Sequence, residues 1–232
     1  MLVLGILVPI AIFGLLVVGA VTLFRRGGEG LDLAPRNLLR FYLYVASLAG
    51  IVTLVIGLSG ALNAGLAAAF GNGFVYGGSV PALTRPCPND GNLKCPPPLV
   101  DDVRRQTQQE ERRQGEDLIR GITFSVFGAA FWAAHWAARR GVVGADEGRS
   151  GLRRAYLLLG TVIFGLSTIT LLPMGVYEAL TYLILPATDG IYRQGAGESL
   201  SGGLVTLPVW LLYLGLVIRD ARAARAVPAT AA

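Results

Sequence analysis

Few residues in this chain combine a type and a setting that could carry chemistry. His135 is the single histidine, flanked by Trp132 and Trp136, with Arg139 four positions on. One imidazole could ligate a chlorophyll-type pigment or supply half of a haem shared with another subunit; two axial histidines from this chain are excluded. The same aromatic and basic neighbours also suit plain anchoring at a membrane–water interface. Glu178 is an acid inside a long apolar stretch, after Pro173 and Gly175, next to Tyr177 and before Tyr182. An ionisable side chain in such a place is expensive to keep, so Glu178 with Tyr177 is a candidate proton or ion site. Counting from the basic start of that stretch places Glu178 roughly 35 Å along a straight helix, near an outer interface where a carboxylate meets water.

Cys87 and Cys95 lie in one polar loop, Cys-Pro-Asn-Asp-Gly-Asn-Leu-Lys-Cys. Bracketing a turn, they can reach disulfide geometry, and a bond there implies an oxidising compartment. Free thiols or part of a metal site are the alternatives; a metal would need two more ligands, and the loop has no histidine. Gly197, Gly202 and Gly203 read as a turn, since no Gly-Lys-Ser/Thr follows them as a phosphate loop requires. Nowhere do an acid, a base and a nucleophile gather, so no catalytic residue is assigned and enzymatic activity is not expected.

The elements that must position these residues are apolar runs. Hydrophobic residues make up 53% of the chain and charged ones 15%, against roughly 25% charged in soluble domains. Residues 2–24 are uninterrupted apolar sequence ended by Arg25 and Arg26. A signal peptide carries its basic residues before a shorter core, so this run predicts an uncleaved anchor. Further spans are expected from Phe41 to about Phe70, from Gly121 to Ala138, from Ala155 to about Leu185, and from about Leu200 to Ile218. The net charge of +5 does not indicate nucleic acid, because the arginines cluster at the ends of these runs. With the N-terminus outside and the C-terminus cytoplasmic, twelve of the 20 basic residues fall on the cytoplasmic side, from Arg25 and Arg26 to Arg219, Arg222 and Arg225. Seven of the other eight sit in the long loop of residues 71–120, which translocates with less regard to charge. That topology also puts both cysteines outside. Within the loop, residues 71–98 are rich in glycine and proline and predict irregular chain. Residues 99–120 predict a solvated helix laced by Asp101/Arg105, Arg112/Glu116 and Arg113/Asp117, with Gly115 and Gly121 as weak points.

A duplication organises the rest. Leu39-Arg40-Phe41-Tyr42-Leu43 resembles Arg153-Arg154-Ala155-Tyr156-Leu157, and Phe131-Trp132-Ala133-Ala134-His135 resembles Val209-Trp210-Leu211-Leu212-Tyr213. Each unit is an up-down hairpin, and the two are parallel rather than inverted repeats. These motifs resemble a family of uncharacterised bacterial membrane domains of unknown function with tandem two-helix units, found in GC-rich lineages including green non-sulphur bacteria. The resemblance covers residues 36–70 and 118–224. It implies no established chemistry and no functional residues.

The expected fold is an all-α integral membrane protein of five transmembrane helices. Residues 1–26 are an anchor, 36–70 and 121–140 the two helices of repeat 1, 71–120 an extracytoplasmic loop, 152–225 repeat 2 and 226–232 a tail. The leading functional expectation is a non-enzymatic structural or accessory subunit of a larger bacterial inner-membrane complex, respiratory or photosynthetic. It would have the bilayer and other membrane subunits as partners, and no metal, no nucleic acid and no cofactor unless His135 holds one. The alternatives are an ion- or proton-coupled transporter using Glu178 and a pigment- or haem-associated protein using His135.

Overall fold

The computed structural model describes residues 35–79, 100–142, 151–185 and 192–225. The apolar run 2–24, Cys87 and Cys95, and the tail 226–232 lie outside the described residues. In chain order the elements are α1 (Pro35–Phe70), α2 (Asn72–Tyr76), β1 (Gly78–Ser79), α3 (Val100–Val142), α4 (Gly151–Ile184), β2 (Tyr192–Arg193) and α5 (Gly197–Arg225). The described chain is thus all-helical apart from one two-residue antiparallel ladder, Gly78 opposite Arg193 and Ser79 opposite Tyr192. Four helices, α1, α3, α4 and α5, are long and apolar enough to cross a membrane.

Local chemistry explains the boundaries. Pro35 opens α1, where a missing N–H costs nothing and a fixed φ helps. Gly71, at φ 90°, stops it and donates to the Ala67 carbonyl at 2.9 Å. Gly77, at φ 70°, stops α2 in the same way, donating to Gly73 at 3.1 Å. A side chain is strained at both positions. Residues 72–79 are therefore ordered as a short helix and a strand, where composition alone predicted irregular chain. Pro173 and Pro208 leave α4 and α5 continuous.

Neither Gly115 nor Gly121 interrupts α3. A glycine costs a helix only about 1 kcal/mol, and the two serve different ends. Nothing lies within 4 Å of a Cβ built on Gly115, whereas one on Gly121 would strike the Ala61 backbone. Gly115→Ala is therefore expected to raise stability by about 0.5–1 kcal/mol, read from the midpoint of SDS-induced unfolding. A lower midpoint would reveal a contact at that face.

The helices contribute to two compact units. In one, formed by residues 50–130 and 166–209, small residues let backbones meet. Gly57 lies against Phe124 and Ser125, Gly121 against Ala61, and Gly128 against Leu54. Gly175 lies against Ser199 and Leu200, and Gly203 against Leu172, while Thr168 donates to Thr206 at 3.0 Å. Gly202 and Gly203 are helical and pack on Leu171 and Leu172, and Gly197 begins α5 against Val75 and Asn63. The turn expected at these glycines is corrected: their lack of side chains serves close helix packing.

The other unit takes its described residues from the stretches ending at Ala49, Phe131–Gly165 and those from Trp210 on. Tyrosines hold it together: Tyr156 and Tyr213 share a hydrogen bond of 2.6 Å. The Arg139 guanidinium lies 4.8 Å from the Tyr44 ring and 5.6 Å from that of Tyr156. Arg153 reaches Asp220 at 3.1 Å.

Candidate functional site

Two acid–amide pairs stand out, both in the unit of residues 50–130 and 166–209. The first joins α1, α2 and α3. Asn63, 8% exposed, donates to Asp117 Oδ2 at 2.7 Å, and Tyr76 donates to the same oxygen at 3.1 Å. Arg120 closes on Oδ1 at 2.6 Å, and Gln114 donates to the Ala64 carbonyl at 3.3 Å. Burial raises the Tyr76 phenol well above the usual tyrosine range; the Asp117 charge and the hydrogen bond between them push the same way. Tyr76 therefore stays a donor. All three partners donate, so the Asp117 carboxylate is matched as an acceptor on both oxygens. Of the ion pairs expected on this stretch, Arg112–Glu116 forms at 2.8 Å. Asp117 instead serves Arg120 and the α1/α2 groups, and Asp101 falls outside the described side chains.

The second pair is Glu178 with Gln194. Glu178 is 6% exposed, not at water as its position along the helix suggested. The chain entering α5 covers it: Gln194 Nε2 donates to Glu178 Oε1 at 2.8 Å, and the Gln194 side chain faces out. Glu178 Oε2 has no hydrogen-bond partner among the described residues. The covering segment is pinned on both sides. Arg193 donates to the Tyr182 carbonyl and, at 3.2 Å, to that of Leu185, and stacks on the Tyr182 ring at 4.2 Å. Ala196 N–H donates to the Phe74 carbonyl at 2.9 Å, and Ala196 joins Ala67, Phe74 and Val75 in a buried cluster. Tyr177, paired with Glu178 in the sequence reading, is 70% exposed and bonds nothing there, as adjacent helical residues point about 100° apart.

His135 belongs to the other unit. Its Nδ1 donates to the Phe131 carbonyl at 2.7 Å, leaving Nε2 to accept from the Tyr42 hydroxyl at 3.2 Å. Both ring nitrogens are thus engaged, so ligation of a haem or pigment would have to break one of these bonds. Arg140 stacks on Trp136 at 3.6 Å.

The contacts recur with a regular shift. One constant carries Tyr42, Leu54 and Ala61 to Tyr156, Thr168 and Gly175. Another carries their partners His135, Gly128 and Gly121 to Tyr213, Thr206 and Ser199. The same constants carry Asn63 to the neighbour of Glu178, and Asp117 to the neighbour of Gln194.

Residues 99–190 match a domain of unknown function (DUF5671). The match takes in α3 and α4 and leaves out α1 and α5. It contains both acids, Asp117 and Glu178, but neither amide partner, Asn63 or Gln194. No curated protein and no solved structure gives a match. Sequence reasoning missed Gln194 and the inward turn of Asp117. The repeat shift lands one residue away from Glu178 and Gln194, so it marks their neighbourhood and not the residues themselves.

Proposed function

We propose that this chain is a non-enzymatic, multi-pass protein of a bacterial cytoplasmic membrane that exchanges a proton or small cation through Glu178. One observation carries the reading. Glu178 is a buried carboxyl on a helix apolar enough to span a bilayer, with one oxygen on a neutral amide and the other unpartnered among the described residues. Such a group is costly to maintain without a role. In this reading the run 2–24 is a fifth span, with the N-terminus outside, the C-terminus cytoplasmic, and residues 71–120 extracytoplasmic with Cys87 and Cys95 bonded. The four described spans are then two tandem hairpins, α1 with α3 and α4 with α5; the contacts shared at constant shifts support this. The test is ion flux in liposomes containing the purified protein, followed with a pH-sensitive dye under an imposed potential. Glu178→Gln should reduce flux to that of protein-free vesicles; a variant as active as the wild type would sink the proposal.

A second reading keeps the accessory-subunit role in a respiratory or photosynthetic complex. It is favoured by α3, of whose most apolar window only 11% is buried, against 28–33% for the other three. Ile119, Ile122, Val126 and Phe127 are all more than half exposed. Purification from native membranes in mild detergent decides it: fixed-ratio partners support the subunit role, and a lone monomer or homo-oligomer removes it.

A further inference from the structure

We infer that the species taken up by Glu178 is a proton rather than a metal cation, and that Gln194 is the cover that separates its carboxyl from water. This deepens the ion-site reading and rests on it. The argument starts from the coordination the site can offer. A hard metal cation demands a shell of about six oxygens. Here one carboxylate oxygen is already committed to Gln194, and only Oε2 is unpartnered. One turn before Glu178, Gly175 is packed tight on the Leu200 backbone. Its neighbour Ala179 and, one turn on, Tyr182 pack on the apolar cluster of Ala67, Phe74, Val75 and Ala196. Among the described residues no three His, Cys, Asp or Glu side chains come together as metal ligands. A proton needs none of this; it needs one lone pair.

Charge balance points the same way. On α4 itself, Tyr177 is exposed and Tyr182 packs edge-on against Phe74 at 5.4 Å. From the segment of β2, Arg193 sends its guanidinium to the carbonyls of Tyr182 and Leu185. From α5, Glu198 is exposed and the buried Ser199 is neutral. No cation is bonded to Glu178 among the described residues. A buried carboxylate without a counter-charge is strongly disfavoured against its neutral acid. Asp117 is the contrast within the same unit, with Arg120 at 2.6 Å and two further donors. Of the two acids, Asp117 has a cation bonded to it and Glu178 has none among the described residues. The exposed Gln194 amide, bonded to the buried Oε1, lies between that carboxyl and the surface.

Carbodiimides test this on the full-length protein in lipid vesicles, because they attack protonated carboxyls and their partitioning can be chosen. Dicyclohexylcarbodiimide, which enters apolar sites, should modify Glu178 and not Asp117, as located by peptide mass spectrometry. Modification should fade as pH rises and be indifferent to Na⁺ and K⁺ at fixed pH. A water-soluble carbodiimide should spare Glu178 in the wild type and modify it in Gln194→Ala, whose altered residue lies on the surface. Protection of Glu178 by Na⁺ or K⁺ would overturn the proton assignment while leaving the ion-site reading intact. Unlabelled Glu178 at every pH, or equal labelling of Asp117, would overturn the division of roles. Equal response of wild type and Gln194→Ala to the water-soluble reagent would show that Gln194 is not the cover. Flux that vanishes in Glu178→Gln would survive any of these results, so the two levels fail separately.

Discussion

Leucine in place of Gly121 is expected to destabilise the packing of α1 on α3 by about 3 kcal/mol, at the upper end of overpacking costs. The reason is what the new side chain would meet. A Cβ at Gly121 comes within 2.8 Å of Ala61 Cα and 2.9 Å of the Gly60 carbonyl carbon, both backbone atoms that cannot rotate away. Gly57 and Gly128 sit at the same crossing, against Ser125 and Leu54, so the helices cannot tilt around one enlarged residue without losing the others. In lipid there is little hydrophobic drive to restore the contact, since acyl chains solvate leucine as well as a neighbouring helix does. The measurement is the SDS-unfolding midpoint followed by circular dichroism. Gly65→Ala, with nothing within 4 Å of its added methyl, serves as the control. Equal midpoints for Gly121→Leu and wild type would mean that this close approach is not present in the folded protein.

The helices that form this crossing were legible in the sequence, and the boundary of legibility is physical. Helix existence follows from run length and apolarity, properties each segment carries alone, and α1, α3, α4 and α5 were all anticipated. What depends on a neighbour was not. Arg112–Glu116 and Arg113–Asp117 have the same spacing, yet only the first forms, because α1 and α2 cover the face that carries Asp117. Glu178 was placed at a helix end by counting residues, but whether water reaches that end is decided by Gln194, in a short segment with no periodicity of its own. Glycines 197, 202 and 203 carry turn chemistry in composition and helix chemistry in context, since Val75 and Asn63 approach at Gly197 and α4 approaches at Gly202 and Gly203. The duplicated motifs hold the residues of the Tyr42–His135 and Tyr156–Tyr213 contacts, but their likeness marks a repeat and does not by itself pair one motif with the other.

Asp117→Leu should cost about 3 kcal/mol, because it strands the buried Asn63 and half-buried Tyr76 donors at once, and an unmet buried donor costs about 1–3 kcal/mol. The Asn63 amide would lose its acceptor while its own Oδ1 already lacks a partner among the described residues, and Tyr76 would lose the oxygen that fixes α2 to α3. Arg120, whose side chain is 62% exposed, simply returns to water, so little of the loss comes from the ion pair. The asymmetry supplies a check: adding Asn63→Leu removes the stranded amide, and the double variant should recover about 1–2 kcal/mol relative to the sum of the single changes. Additive costs in SDS unfolding would mean that the two side chains do not share the bond. The comparison with Glu178 then separates a structural acid from a working one. Asp117→Asn keeps an acceptor for Asn63 and should retain ion flux per folded molecule while lowering the midpoint. Glu178→Gln, which alters a single hydrogen bond to an exposed amide, should keep the midpoint and lose the flux. The opposite pattern would transfer the working role to Asp117, the acid whose charge Arg120 already balances.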